Sequence, residues 1–277
     1  MTGLTILHLS DTHLLAGGAR HYGVTDTADA LRLLLDRLEA FGPVDAVVCT
    51  GDLSEDGSAE SYAILRGLIE PWAVRHGARV LYTMGNHDLA EPFRAELDPK
   101  NPHTGLWGSE RVGAQRFIRL DTSIPGSGAG EIGPEQLDWL RDQLSGQAPG
   151  GTVIAMHHPP VTATTPLLQM LGLRDADAFW RALDGSDVRL VLAGHYHHAR
   201  IELRNGVMIS VAPGVTNQAD LLAAPGEEAA VPGSGASLIR LGGRGSVRVE
   251  PVLLSDPADR IFLLDAEKVA DIGRSFG

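Results

Sequence analysis

Leu4-Thr5-Ile6-Leu7-His8-Leu9 is a short, mostly aliphatic run that ends in Ser10-Asp11-Thr12-His13. A run of this length bounded by polar residues reads as a strand. The pattern returns four times. Ala46–Thr50 runs into Gly51-Asp52, and Arg79–Thr83 into Met84-Gly85-Asn86-His87-Asp88. Residues 152–156 run into His157-His158-Pro159-Pro160, and Val188–Ala193 into Gly194-His195-Tyr196-His197-His198. In α/β sheets, sites form outside the carboxyl ends of the strands. Five strand ends here each deliver a carboxylate, an amide or an imidazole to one rim, a convergence that folding needs alone do not supply.

The segments between these runs carry helical periodicity. Ala28, Leu31, Leu35, Leu38 and Phe41 form one apolar stripe, with Thr25 or Asp26 as the N-cap, and Tyr62, Leu65, Ile69 and Trp72 form another. Pro134 opens a third helix through Leu137, Leu140 and Leu144, closed by Gly146. Alternating strands and helices predict an α/β fold with parallel pairing under helical cover. Later the pattern changes. Residues 199–203 and Val207–Val211 flank Arg204-Asn205-Gly206, a hairpin signal, and residues 237–241 and 246–254 read as a second hairpin. Residues 213–235, rich in Ala, Gly and Pro, read as a long loop, and residues 265–272 as a short terminal helix.

With 277 residues, 43% hydrophobic and 21% charged, the chain fits one soluble globular domain, 1–277, loop-rich from about 213. The formal net charge of −12 disfavours duplex nucleic acid as a partner. Only Lys100 and Lys268 of the 23 cationic residues are lysines, and no basic groove is legible. Cys49 is the single cysteine, so an intrachain disulfide is excluded, and its place before Gly51-Asp52 reads as core packing. The first nine residues lack a basic region, His8 breaks their apolar run, and no stretch approaches the roughly 20 apolar residues of a membrane span. The expectation is a cytoplasmic protein.

The donors at the rim predict metal. Carboxylate and imidazole together suit zinc, manganese, iron or cobalt, and the lack of thiolates argues against a structural cysteine site. If extended, Asp11-x-His13 and His195-x-His197 would each place two side chains on one face. With Asp52, Asn86 and His157 the donors number seven, too many for one tetrahedral ion and enough for two that share a carboxylate.

Asp11-x-His13, Gly51-Asp52, Gly85-Asn86-His87-Asp88, His157 and Gly194-His195-x-His197 resemble, in order, the five blocks of the calcineurin-like metallophosphoesterases. The resemblance spans residues 4 to about 215. Ser10-Asp11-Thr12-His13 and His157-His158-Pro159-Pro160 narrow it to the bacterial class III cyclic-nucleotide phosphodiesterases. It implies a four-layer α/β/β/α sandwich of two mixed sheets and two divalent or mixed-valence metal ions. Asp11, His13 and His197 would bind one ion, Asn86, His157 and His195 the other, and Asp52 would bridge. A bridging hydroxide, with a pKa lowered toward roughly 7, would attack phosphorus in line with no covalent enzyme intermediate. His87 matches the histidine that contacts the phosphate or protonates the leaving oxygen, and Asn86, His87 and His195 would touch substrate. In the phosphoprotein phosphatase branch, an acid three residues after the bridging Asp orients that histidine; Glu55 holds this position here.

Other readings are plainer. His8, His76 and His103 read as packed or surface residues, and Gly51, Gly85 and Gly194 as tight turns. His158 and His198 adjoin matched ligands, and a supporting role stays open for both. Asp88 is open between a turn cap and a contact behind the ligands. His21 and Tyr22 either line the pocket or sit in a solvated loop. Small phosphodiesters such as 3′,5′- or 2′,3′-cyclic nucleotides are the expected substrates. A phosphomonoesterase or nucleotidase is the alternative on the same scaffold. A non-catalytic scaffold would be expected to lack ligands, and all seven are present. A lipid-linked substrate would want an apolar cap, which residues 103–112 do not resemble. The resemblance leaves a homodimer open.

Overall fold

The computed structural model describes residues 3–101, 105–243 and 245–276. Thirteen described strands run in chain order as β1 (Leu4–Leu9), β2 (Ala46–Thr50), β3 (Arg79–Thr83), β4 (Gly108–Val112), β5 (Gln115–Arg119), β6 (Thr152–Ala155), β7 (Val188–Ala193), β8 (Arg200–Arg204), β9 (Val207–Val211), β10 (Gln218–Ala219), β11 (Ala230–Val231), β12 (Gly235–Leu241) and β13 (Val247–Leu253). The α-helices are α1 (Thr27–Leu38), α2 (Ala59–His76), α3 (Ala90–Leu97), α4 (Pro134–Leu144), α5 (Pro166–Met170), α6 (Ala176–Ala182) and α7 (Ala266–Phe276).

One sheet has the order β13-β12-β1-β2-β3 and the other β4-β5-β6-β7-β9-β8. Both are mixed. β1, β2 and β3 are parallel, with β12 antiparallel to β1, and β5, β6, β7 and β9 are parallel between antiparallel edges. The two late hairpins therefore part company, one extending each sheet. Asn205 and Gly206 both take positive φ in the first, as a tight two-residue turn requires.

Strand alternation builds three layers of core. Leu7 and Leu9 of β1, with Val47 and Cys49 of β2, face Leu31, Leu35, Tyr62, Leu65 and Trp72 of α1 and α2. Ile154 and Val191 face Leu137, Leu140, Phe179 and Trp180 of α4 and α6. The opposite faces meet each other: Leu4, Ile6, Ala46 and Val48 pack against Phe117, Val153, Leu190 and Leu192. The result is an α/β/β/α sandwich. Both sheets are covered on both sides, which is why the strands read as unbroken apolar runs.

Several elements were not expected. β5 (Gln115–Arg119) hides behind Arg116 and Arg119, which are buried because each is paired. Arg116 reaches Asp187 at 2.8 Å and Thr152 Oγ1 at 2.9 Å, and Arg119 reaches Asp98 at 3.1 Å and Tyr82 O at 3.0 Å. α3, α5 and α6 are short, and two carry proline, so periodicity had little length in which to show. His8 is packed, its Nε2 2.9 Å from Thr50 Oγ1. His76 is half-buried rather than free at the surface, its ring stacked 3.7 Å from Trp72. His103 lies outside the described residues.

Trp72 joins the two covering helices: it is 2% exposed, and its Nε1 donates to Leu35 O at 3.1 Å. Trp72→Ala should lower the unfolding free energy by about 3–5 kcal/mol. A lower urea midpoint at unchanged slope would show it, and an unaltered midpoint would refute the packing described.

Candidate metal centre

The strand-end loops do not continue as extended chain. Asp11, His13, Asp52, His195 and His197 all take positive φ, between 41° and 69°. Among the described residues, only Tyr22 and Asn205 join them as non-glycine residues in that region. This conformation is unfavourable for residues with a Cβ and persists where the surroundings over-determine it. The D-x-H and H-x-H pairs thus converge through left-handed backbone, not through the period of a strand. Backbone bonds hold the bend: Asp11 N donates to Gly51 O (3.1 Å), His13 N to Asp52 O (2.9 Å) and Leu14 N to Leu53 O (3.1 Å). Gly51, at φ +84°, leaves no room for a side chain, since a Cβ would stand 2.6 Å from His157 Nδ1. A Cβ on Gly194 would likewise strike Ser10 Oγ and lie 2.8 Å from Asp11 Oδ2.

Each of four imidazoles is anchored by one nitrogen. His13 Nδ1 lies 2.7 Å from Glu55 Oε2, His157 Nδ1 2.7 Å from Thr50 O, His197 Nδ1 2.8 Å from Asn217 Oδ1, and His195 Nε2 3.1 Å from Leu171 O. An acceptor on one ring nitrogen keeps the hydrogen there and leaves the other as a lone pair. In three rings that second nitrogen meets the carboxylates. His13 Nε2 is 3.2 Å from His197 Nε2 and 3.7 Å from Asp52 Oδ2. His197 Nε2 is 3.4 Å from Asp11 Oδ1. His157 Nε2 is 3.2 Å from both Asp52 Oδ2 and Asn86 Oδ1. Asp11, His13 and His197 form one compact donor group, and Asp52 reaches both this group and His157. His13 Nε2 and His197 Nε2 facing each other beside buried carboxylates suit a cation, so the donor set fits metal.

Burial pushes His197 down to about 4, His195 well below its ordinary value and His13 down, so all three are neutral, the form in which an imidazole can take up a metal. Burial acts the same way on His157, but Asp52 outweighs it and lifts that ring to about 9. Burial raises Asp11 to about 6. It also acts first on Asp52, yet His157 and His13 hold that carboxyl well below the usual range.

Behind the donors, Asp88 ties two loops together. Its carboxylate accepts from Leu53 N (3.1 Å), Ser54 N (3.0 Å), Gly85 N (2.8 Å) and Tyr62 Oη (3.0 Å). His158 is buried between Thr122 Oγ1 (2.8 Å) and Gly128 O (3.2 Å), its ring 4.4 Å from His195. His198 sits apart, stacked on Tyr196 with Nδ1 2.8 Å from Tyr196 O. Glu55 Oε2 contacts His87 Nδ1 at 3.1 Å as well as His13. Sequence reasoning missed Asn217, which lies inside a stretch without periodicity and reaches the site because the loop folds back through Gln218–Ala219 and Ala230–Val231.

The calcineurin-like phosphoesterase profile matches residues 4–199. The chain belongs to that family. A cAMP/cGMP dual specificity phosphodiesterase of Mycobacterium tuberculosis is 42% identical over 223 residues, 80% of this chain and 70% of that protein. The 3′,5′-cyclic adenosine monophosphate phosphodiesterase CpdA of Pseudomonas aeruginosa is 33% identical over 211 residues, 75% of each. Among solved structures, a dimetal phosphatase from Danio rerio aligns with a TM-score of 0.60 over 91% of this chain and 98% of that one; at 14% identity the likeness is one of fold. No described helix is long and apolar enough to cross a membrane.

In this phosphoesterase the donors open into a cavity of about 530 Å³, walled by His21, Tyr22, Leu168, Leu171, Ala229 and Ala230 among others. His87 stands on its rim. The hydrogen bond with Glu55 raises the His87 pKa to about 9 against the opposing effect of burial, with help from Asp52. The carboxylate favours the imidazolium, so the ring stays charged until the pH passes about 9. In chelator-treated protein followed by NMR, His87 should titrate near 9, and Glu55→Gln should bring it down toward its ordinary value. A His87 pKa untouched by that substitution would contradict the pairing.

Proposed function

We propose that this chain is a dinuclear-metal phosphodiesterase that hydrolyses small phosphodiesters, 3′,5′-cyclic nucleotides first among them. The observation that carries hydrolysis is the set of anchored imidazoles whose second nitrogens meet Asp11, Asp52 and Asn86. The activities named for the two bacterial relatives support a cyclic diester as substrate. In this reading Asp11, His13 and His197 hold one ion, Asn86, His157 and His195 the other, and Asp52 is shared. Oxygen and imidazole donors accept manganese, iron, zinc or cobalt. When bound, such a pair supplies an acidified water and a clamp on the phosphoryl oxygens.

The remaining work falls to the protein. Glu55 holds His87 through Nδ1, which leaves Nε2 to the cavity that His87 lines. As an imidazolium, His87 can give its Nε2 proton to the departing alkoxide oxygen. Asp52 Oδ1 accepts from His87 N at 2.9 Å, so the residue that presents the acid is tied to the proposed shared ligand. The apolar wall of Leu168, Leu171, Ala229 and Ala230 can exclude water around an organic moiety.

Purified protein supplied with manganese, iron, cobalt or zinc should turn over 3′,5′-cAMP to the monoester in preference to phosphomonoesters. Failure to hydrolyse any diester with any of the four metals would overturn the proposal. Asn86→Ala should leave fewer than two ions per chain by elemental analysis, and an undiminished ratio would contradict the ligand assignment.

A further inference from the structure

Between β1 and α1 the chain makes a loop that is pinned to the start of α2: Ala16 N donates to Asp56 Oδ2 and Gly17 N to Glu60 Oε1, both at 2.9 Å. The loop brings His21 against the site. Its side chain is 4% exposed, and its ring lies stacked 4.8 Å from that of His13. Tyr22, 83% exposed and at φ +50°, covers its outer side with ring centroids 4.2 Å apart. His21 Nε2 is buried and makes no hydrogen bond of ordinary length; the polar atom it faces is Glu55 Oε2, 3.5 Å away.

That oxygen is the one that receives His13 at 2.7 Å and His87 at 3.1 Å. Three imidazoles, two from the loop after β1 and one from the loop after β3, thus converge on a single carboxylate oxygen. Packing on His13 does not call for a polar atom here, because an aliphatic side chain would fill the space without the cost of burying an unpaired nitrogen. The nitrogen is accounted for if it acts on Glu55. Glu55 is 26% exposed, so water and rotation compete for its carboxylate. The His21 ring on its closed side, with Nε2 in a longer 3.5 Å contact, limits both and keeps Oε2 turned to His87 Nδ1.

We infer that His21 is a positioning residue that holds Glu55, and through it His87, in the orientation that delivers a proton to the leaving oxygen. This inference rests on the phosphodiesterase reading above. It also has a signature that loss of packing would not produce. Departure of an alkoxide needs the proton, whereas p-nitrophenolate leaves well without it.

The test compares kcat on 3′,5′-cAMP with kcat on bis(p-nitrophenyl) phosphate in the same metal-loaded preparations. His21→Leu should lower the ratio of the two by about five- to tenfold, part of the 10²–10⁴-fold scale of a lost acid. His21→Gln, whose amide nitrogen can stand in for Nε2, should keep the ratio within about twofold of the parent. In a Glu55→Gln background His21→Leu should change the ratio no further, because the two residues act in series. If His21→Leu is insoluble, His21→Ala reads the same ratio. A parental ratio in the His21 variants, beside a lowered one in His87→Ala, would overturn the role of His21. A parental ratio in His87→Ala itself would overturn the acid role on which it depends. Absence of turnover on both substrates would overturn the phosphodiesterase reading instead.

Discussion

The backbone bonds that zip the loop after β1 onto the loop after β2 are the constraint on which the site depends. Asp11 N to Gly51 O, His13 N to Asp52 O and Leu14 N to Leu53 O fasten two neighbouring strand ends along three successive contacts. They allow Asp11, His13 and Asp52 to stand in left-handed backbone, which none of these residue types adopts freely. Asp88 extends the same fastening to the loop after β3, with acceptor bonds to Leu53, Ser54 and Gly85. The strain is local, while the bonds that balance it are shared among three parallel strands.

The same arrangement settles the electrostatics. Burial alone would push both Asp11 and Asp52 toward the neutral acid. The histidines around Asp52 reverse that for one carboxyl only, and three of the four anchored imidazoles are driven to the neutral form. His13 and His197, neutral and turned to a carboxylate, are what a cation needs, and each of the four rings owes its orientation to an acceptor outside the centre. Asn217 and Leu171, which supply two of those acceptors, come from segments that also wall the cavity.

Much of this is legible in the sequence. Leu4–Leu9, Ala46–Thr50, Arg79–Thr83 and Val188–Ala193 are strands with the bounds read from apolar runs, because strands covered on both faces leave no polar interruption. The seven candidate donors are legible because each follows such a run. Residues with no periodic signal escaped. β5 carries two buried arginines whose partners, Asp187 and Asp98, lie far away in sequence. Asn217 depends on a loop that returns over the site, and His21 on a turn whose geometry only the folded chain defines. The left-handed backbone at Asp11, His13, Asp52, His195 and His197 was also hidden, since a D-x-H triplet reads equally well as extended chain.

In the proposed centre two ions share Asp52 between one group of Asp11, His13 and His197 and another of Asn86, His157 and His195. Crystals of the manganese- or zinc-loaded protein, with anomalous scattering measured at the metal edge, test it most directly. Two peaks per chain flanking the Asp52 carboxylate are expected. A single peak, or a pair away from Asp52, would contradict it.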